Sequence, residues 1–173
     1  MNIRLALALS SLAVTALAGC TSHLDGNRAI ARLEPTRGNT TSGTVRFLHE
    51  GDGVWVHGEV RGLRPNSDNA FNIHEMGDCS SGDGMSAGGY FHPAPQAPAG
   101  EKPAGELHTL KADKYGVAAF SYFARGISLD GPTTSILDKG LVVHRDRNND
   151  IGTTQPTSTA GPRVACAVIT AYK

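Results

Sequence analysis

The chain has 173 residues, with 16 Lys and Arg against 16 Asp and Glu, and a formal net charge of zero at pH 7. This balance, without any arginine-rich run, argues against nucleic acid as a partner. Once an amino-terminal leader is set aside, the remaining length suits one domain.

The first 20 residues have the proportions of an export signal. Arg4 precedes an apolar run from Leu5 to Leu17 that is too short for an ordinary membrane span. The run ends in Leu17-Ala18-Gly19-Cys20, which resembles a bacterial lipobox. We therefore predict that residues 1–19 are a lipoprotein signal peptide and that Cys20 is lipidated. A plain secretory signal with an incidental cysteine is the alternative.

Lipidation of Cys20 predicts an exported protein whose membrane partner is the bilayer that holds the lipid. Thr21 follows the cysteine, so the chain lacks an Asp retention signal at that position. In a Gram-negative cell we expect the outer membrane, with the domain facing the periplasm.

The next segments predict a tether and then an all-β domain. Residues 20–42 show little periodicity and include Pro35, Gly38 and Asn39, which is typical of a tether. From residue 43 to 173, short β-rich runs are separated by turns such as Gly51-Asp52-Gly53. Period-2 alternation, as in residues 54–60, favours an antiparallel sandwich or barrel.

Two long stretches interrupt the strand pattern. Asp78 to Gly105 is rich in Gly, Pro, Ser and Ala, and Arg145 to Pro162 is rich in Thr, Asn, Asp and Gly. Loops of more than about 12 to 15 residues within a compact domain are usually functional or disordered. We therefore predict two long loops.

The segment from Ala70 to Cys79 carries the most chemical information. In an extended strand, Asn72 and His74 lie on one face, opposite Phe71 and Ile73. This segment and eight others, in chain order, resemble copper/zinc superoxide dismutases. They are 43–47, 54–58, 61–63, 70–79, 86–93, 112–118, 127–129, 141–144 and 161–169. The resemblance covers roughly residues 43 to 170 and implies an all-β, antiparallel Greek-key sandwich or barrel.

The resemblance also implies which residues stand at the copper ligands. Four imidazoles are expected there, and this chain has Asn72, His74, Tyr90 and His144. Tyr90 stands where a histidine bridges copper and zinc. We predict a remnant copper site of His74, His144 and Tyr90, with His92 as an alternative imidazole.

The zinc ligands of the family fall between Pro93 and Glu106, where this chain has no histidine. Pro103 and Glu106 stand at the last His and the Asp positions. One carboxylate cannot form a tetrahedral zinc site, so we expect no zinc. Met76 and Met85 are alternative thioether ligands for Cu(I) or haem, although packing is their more ordinary role.

Two further roles follow from the resemblance. Cys79 and Cys166 stand at the family's intrasubunit disulfide, and two cysteines in an exported chain favour such a bond. Arg163 matches the active-site arginine, which raises the local concentration of small anions such as superoxide. Bonding to loop carbonyls is the other interpretation of Arg163.

Three functions remain open from the sequence. The favoured one is a binding protein that uses the old active-site face or another surface for a single metal, haem or a protein partner, with little or no dismutase activity. The second is an active copper-dependent superoxide dismutase that converts superoxide to hydrogen peroxide and oxygen. The third is a structural module of the envelope, and any of these is compatible with a homodimer.

Overall fold

The computed structural model describes residues 27–93, 103–148 and 160–172. It contains short strands and a single 3-10 helix within those ranges. The strands are β1 Arg28–Pro35, β2 Ser42–Glu50, β3 Gly53–Arg61, β4 Asp68–Asn69, β5 Phe71–His74, β6 Leu110–Lys111, β7 Ala118–Arg125, β8 Gly140–His144, β9 Arg163–Val168 and β10 Thr170–Ala171. The 3-10 helix spans Met85–Ala87. In these ranges no helix is long and apolar enough to cross a membrane.

The main sheet is antiparallel and runs in the order β5-β8-β9-β1-β2-β3-β7, with β10 added beside β1. The chain leaves β3 for the opposite edge at β5 and returns to β7 beside β3, which is a Greek-key crossing. Phe71 of β5 and Phe120 of β7 meet with ring centroids 5.4 Å apart. Because these strands are the two edges of the sheet, it must curl upon itself. The predicted all-β, antiparallel Greek-key fold is confirmed.

Alternation of side chains places the core inside the curl. Val54, Val56 and Val60 of β3 are fully buried, whereas Trp55 and His57 lie on the outer face. On β8 and β9 nearly every residue is buried. These two strands therefore carry side chains that face protein on both sides of the sheet.

The predicted tether is wrong for the residues that form β1. Arg28–Pro35 pairs with β2 along six registered positions and with β9 at Glu34 and Pro35. Ala29, Ala31 and Leu33 are buried in the core. Alternating apolar side chains with a period of two make this segment a strand, although alanine is too small for the pattern to stand out. The domain thus begins before residue 43, and residues 1–26 lie outside the described residues.

Candidate metal centre

His74 and His144 converge as the resemblance implies. His74 ends β5 and His144 ends β8, and both side chains are fully buried. Their Nε2 atoms are 3.3 Å apart. The backbone holds the pair in place, because the His144 amide donates to the Ala70 carbonyl at 2.8 Å.

Backbone carbonyls fix the tautomer of each ring. His74 Nδ1 is 3.0 Å from the Gly88 carbonyl oxygen, and His144 Nδ1 is 3.1 Å from that of Gly161. A carbonyl oxygen only accepts hydrogen bonds, so each Nδ1 carries the proton and each Nε2 carries a lone pair. Two lone pairs therefore face one another inside the protein.

Both imidazoles are held neutral. Burial lowers the pKa of His74 to about 3, and burial lowers the pKa of His144 to about 4. The positive charge of Arg163 acts in the same direction on both rings. Neutral imidazole is the form that binds metal.

Tyr90 lies beside the histidine pair but bonds elsewhere. Its ring meets the His74 ring edge-on with centroids 5.1 Å apart, and an isolated β-bridge pairs the two residues. Its hydroxyl donates to Asn148 Oδ1 at 3.2 Å. The phenol is therefore close to both imidazoles while its oxygen is engaged with an amide.

Asn148 is a site residue that sequence reasoning missed. Its amide exchanges two hydrogen bonds of 3.2 Å with the Asn72 amide and donates to Glu106 Oε2 at 3.3 Å. With the Tyr90 bond, it joins three side chains at ligand positions of the family. Buried polar groups require such partners, and here they find them in one another. Its Asn-rich loop, Arg147-Asn148-Asn149, gave no distinguishing signal.

Arg163 stabilises the loop after β5 by hydrogen bonds to its backbone. Its side chain is 8% exposed and donates from Nη1 to the Gly84 carbonyl and from Nη2 to the Gly88 carbonyl, both at 2.6 Å. Of the two interpretations of this residue, bonding to loop carbonyls is the one observed. Guidance of anions by Arg163 stays a prediction.

The carbonyls that hold these side chains come from glycines that all have a positive φ. Gly84, Gly88 and Gly161 have φ of 76°, 74° and 74°. Residues with side chains rarely adopt a positive φ. Glycine at these positions lets the loops turn their carbonyls toward Arg163, His74 and His144.

The disulfide implied by the resemblance is present. Cys79 and Cys166 are bonded, with Cα atoms 5.8 Å apart and a sequence separation of 87. The bond ties the loop after β5 to β9, three residues from Arg163.

The other predicted ligands lie apart from the histidine pair or outside the described residues. His92 is exposed, and Met76 and Met85 are 57% and 61% exposed, so neither methionine packs in the core. Residues 94–102, most of the stretch in which the resemblance implies zinc ligands, lie outside the described residues, as does Cys20. Within the described ranges, no three His, Cys, Asp or Glu side chains cluster as a metal site.

Comparison with known proteins decides the family. The model of the copper/zinc superoxide dismutases matches residues 41–169. The chain belongs to this family. A copper-zinc superoxide dismutase of Paramecium bursaria Chlorella virus 1 is 33% identical over an alignment of 172 residues, and the alignment covers 94% of this chain and 90% of the viral protein.

Two yeast superoxide dismutases support the same assignment. That of Saccharomyces cerevisiae is 36% identical over an alignment of 152 residues that covers 82% of this chain and 96% of the yeast protein. That of Candida glabrata is 34% identical over an alignment of 151 residues that again covers 82% of this chain and 96% of the relative's own length. The chain therefore spans almost the whole of each relative.

Proposed function

We propose that this protein is a lipid-anchored envelope member of the superoxide dismutase family that binds one copper ion through His74 and His144. It carries no zinc, and its turnover of superoxide is far below that of a member with all its imidazoles. One observation carries the proposal: two Nε2 lone pairs converge at 3.3 Å in a buried site.

The donors present fit copper. Imidazole nitrogen suits this ion, and metal–nitrogen bonds of about 2.0 to 2.1 Å let one ion contact two atoms separated by 3.3 Å. When bound, copper supplies one-electron redox chemistry. The protein supplies neutral imidazoles, tautomers held by the Gly88 and Gly161 carbonyls, and a buried setting.

Poor turnover follows from what surrounds the pair. The Asn72 and Tyr90 side chains bond to Asn148, which satisfies them without a metal. Arg163 holds two carbonyls and exposes only 8% of its surface, so little of its charge faces an approaching anion. No histidine occurs in the segment from 94 to 106, which supports the absence of zinc.

The test is copper binding measured together with dismutase activity. We expect about one copper per chain, with binding abolished in His144→Ala and unchanged in His57→Ala, a control on the exposed outer face of β3. Copper-loaded protein should show little dismutase activity. Activity equal to that of an intact member would refute the binding-protein proposal and support the alternative, an active copper-dependent superoxide dismutase.

The absorption spectrum separates the other candidates. A Soret band in protein purified from its native envelope would favour haem, with Met76 and Met85 as thioether ligands. Protein that contains no copper and shows no Soret band would favour a partner-binding or structural role.

We also propose that Cys20 anchors the domain to the membrane through lipid. The apolar run that ends at Leu17-Ala18-Gly19-Cys20 supports this proposal. The bond between Cys79 and Cys166 is in keeping with export, since disulfides persist in oxidising compartments.

A further inference from the structure

The sheet end at which β1 begins has little freedom to leave the bilayer if Cys20 is lipidated. Arg28 opens β1 only eight residues after Cys20. Eight residues reach at most about 28 Å when fully extended. A domain of this size has a radius of gyration of about 15 Å and so a diameter of roughly 40 Å. The anchor is shorter than the domain, so the Arg28 end stays close to the lipid.

Apolar and aromatic side chains lie on the outer face at this same end, some of them partly buried and others exposed. Across the outer face of the sheet, Leu48 is registered with Arg28, Trp55 with Leu48, and Phe123 with Trp55. The Trp55 and Phe123 rings meet edge-on at 5.5 Å. The Tyr172 amide donates to the Arg28 carbonyl, which places a third aromatic residue beside the row.

This arrangement leaves large aromatic surfaces in solvent. Trp55 is 41% exposed and Tyr172 is 49% exposed. Trp and Tyr are the residues that concentrate at membrane–water interfaces, because each combines an apolar ring with a polar group. The Trp55 Nε1 group already donates to Glu50 at 2.9 Å, so it keeps a polar partner at such a boundary.

The surrounding charges do not make the surface strongly basic. Arg125 pairs with Asp52 and lies over the Phe123 ring, 5.4 Å from its centroid. His49 is 3.4 Å from Asp130. When Arg28 and Glu50 are included, this surface carries two arginines and three acidic side chains. Attraction to anionic lipid is therefore small, and burial of aromatic surface is the main contribution.

We propose that Leu48, Trp55, Phe123 and Tyr172 form a membrane face that rests in the lipid headgroup region. This inference depends on the proposed lipidation of Cys20. The opposite end of β1 meets β9, where the Thr36 hydroxyl donates to the Arg163 carbonyl. Eight strand residues separate these ends by about 23 Å, so the Arg163 side of the histidine site faces away from the bilayer.

Trp55 makes the test direct because it is the only tryptophan in the chain. Lipidated full-length protein is reconstituted into vesicles of phosphatidylethanolamine and phosphatidylglycerol, with or without a nitroxide-labelled headgroup. We expect Trp55 emission to fall at least about twofold with the label, as interfacial burial requires. Raising the salt concentration should change the quenching little.

A matched control moves the tryptophan to the other end. Tyr115 is 74% exposed in the turn before β7. This turn adjoins the pair formed by Val60 and Ala118, at the end of β3 and β7 opposite to the pair formed by Gly53 and Arg125. In a Trp55→Phe, Tyr115→Trp protein, emission should be insensitive to the labelled lipid. Equal quenching from both positions would overturn the proposal.

The remaining outcomes separate the membrane face from the anchor. Mass spectrometry establishes whether Cys20 carries lipid. If it does and Trp55 is not quenched, the membrane face is wrong and the anchor stands. If Cys20 carries no lipid, both fail. If Trp55 in soluble Cys20→Ser protein becomes shielded from acrylamide as protein concentration rises, the face joins two copies of the chain, and the membrane proposal is overturned.

Discussion

At the scale of single residues, the histidine pair decides what the site can bind. Each ring donates a hydrogen bond from Nδ1 to a glycine carbonyl, and its Nε2 faces the other ring. The family resemblance implies further imidazoles around such a pair, whereas here Asn148 links Asn72 and Tyr90, the side chains at those positions. Restoring the imidazoles therefore means displacing an amide network as well as adding nitrogen.

The double variant Asn72→His, Tyr90→His should raise copper affinity and recover measurable superoxide turnover. It supplies the two missing imidazoles and removes two partners of Asn148. Either single variant should do little, because the copper position then still lacks one nitrogen. Copper titration and a dismutase assay provide the measurement. A single variant as active as the double would contradict this ligand count.

The histidines also predict acid lability in the metal-free protein. Their folded pKa values of about 3 and 4 lie below the ordinary value near 6.5. Between these limits the unfolded chain binds protons that the folded chain does not, so stability falls as pH falls from 6.5 toward 4. Each histidine contributes up to about 1.4 kcal/mol per pH unit.

Urea unfolding of the metal-free protein between pH 7.5 and 4.5 checks this dependence. In His144→Gln the free energy of unfolding should fall less steeply on acidification, whereas His57→Gln should keep the slope of the native chain. An unchanged slope in His144→Gln would show that acid acts through other groups.

At the scale of elements, the disulfide connects the loop after β5 to β9 across a long stretch of chain. Closing 87 residues is worth about 4 to 5 kcal/mol in the chain-entropy model. A reductant should therefore lower the melting temperature markedly, and it should have no effect on a Cys79→Ser, Cys166→Ser protein. Alkylation of both thiols in the unreduced folded protein would contradict the bond.

The position of β1 gives a second prediction at this scale. A chain shortened to begin at Gly43 should not fold, because it lacks the strand between β2 and β9. A chain that begins at Asn27 should retain the native circular dichroism spectrum and cooperative unfolding. Cooperative unfolding of the Gly43 chain would show that β1 is dispensable.

Sequence reasoning found the strands whose side chains alternate clearly and whose motifs are specific. It located β5 and β8 with His74 and His144, and the cysteine pair. It missed β1, because Ala29 and Ala31 give a weak apolar signal next to Pro35 and Gly38. It also missed Asn148, because an asparagine among other polar loop residues acquires its role only when the loop folds over Asn72, Tyr90 and Glu106.

At the scale of the whole molecule, the proposed lipid anchor on Cys20 would set where the protein is located. Cys20→Ser should release the mature domain from membranes or block its processing, because the lipid is the predicted attachment. Fractionation of cells that produce either form is the measurement. A normally processed, membrane-bound Cys20→Ser protein would show that the lipobox interpretation is wrong.

The Gly88 carbonyl accepts hydrogen bonds from both His74 Nδ1 and the Arg163 guanidinium. It lies on the loop that the disulfide of Cys79 ties to β9. The orientation of the His74 imidazole thus depends on a loop that is fixed by the disulfide. While the thiols are reduced, that loop lacks its covalent tie and His74 is held less firmly. If the chain is exported as proposed, copper loading should therefore follow formation of the disulfide outside the cytoplasm.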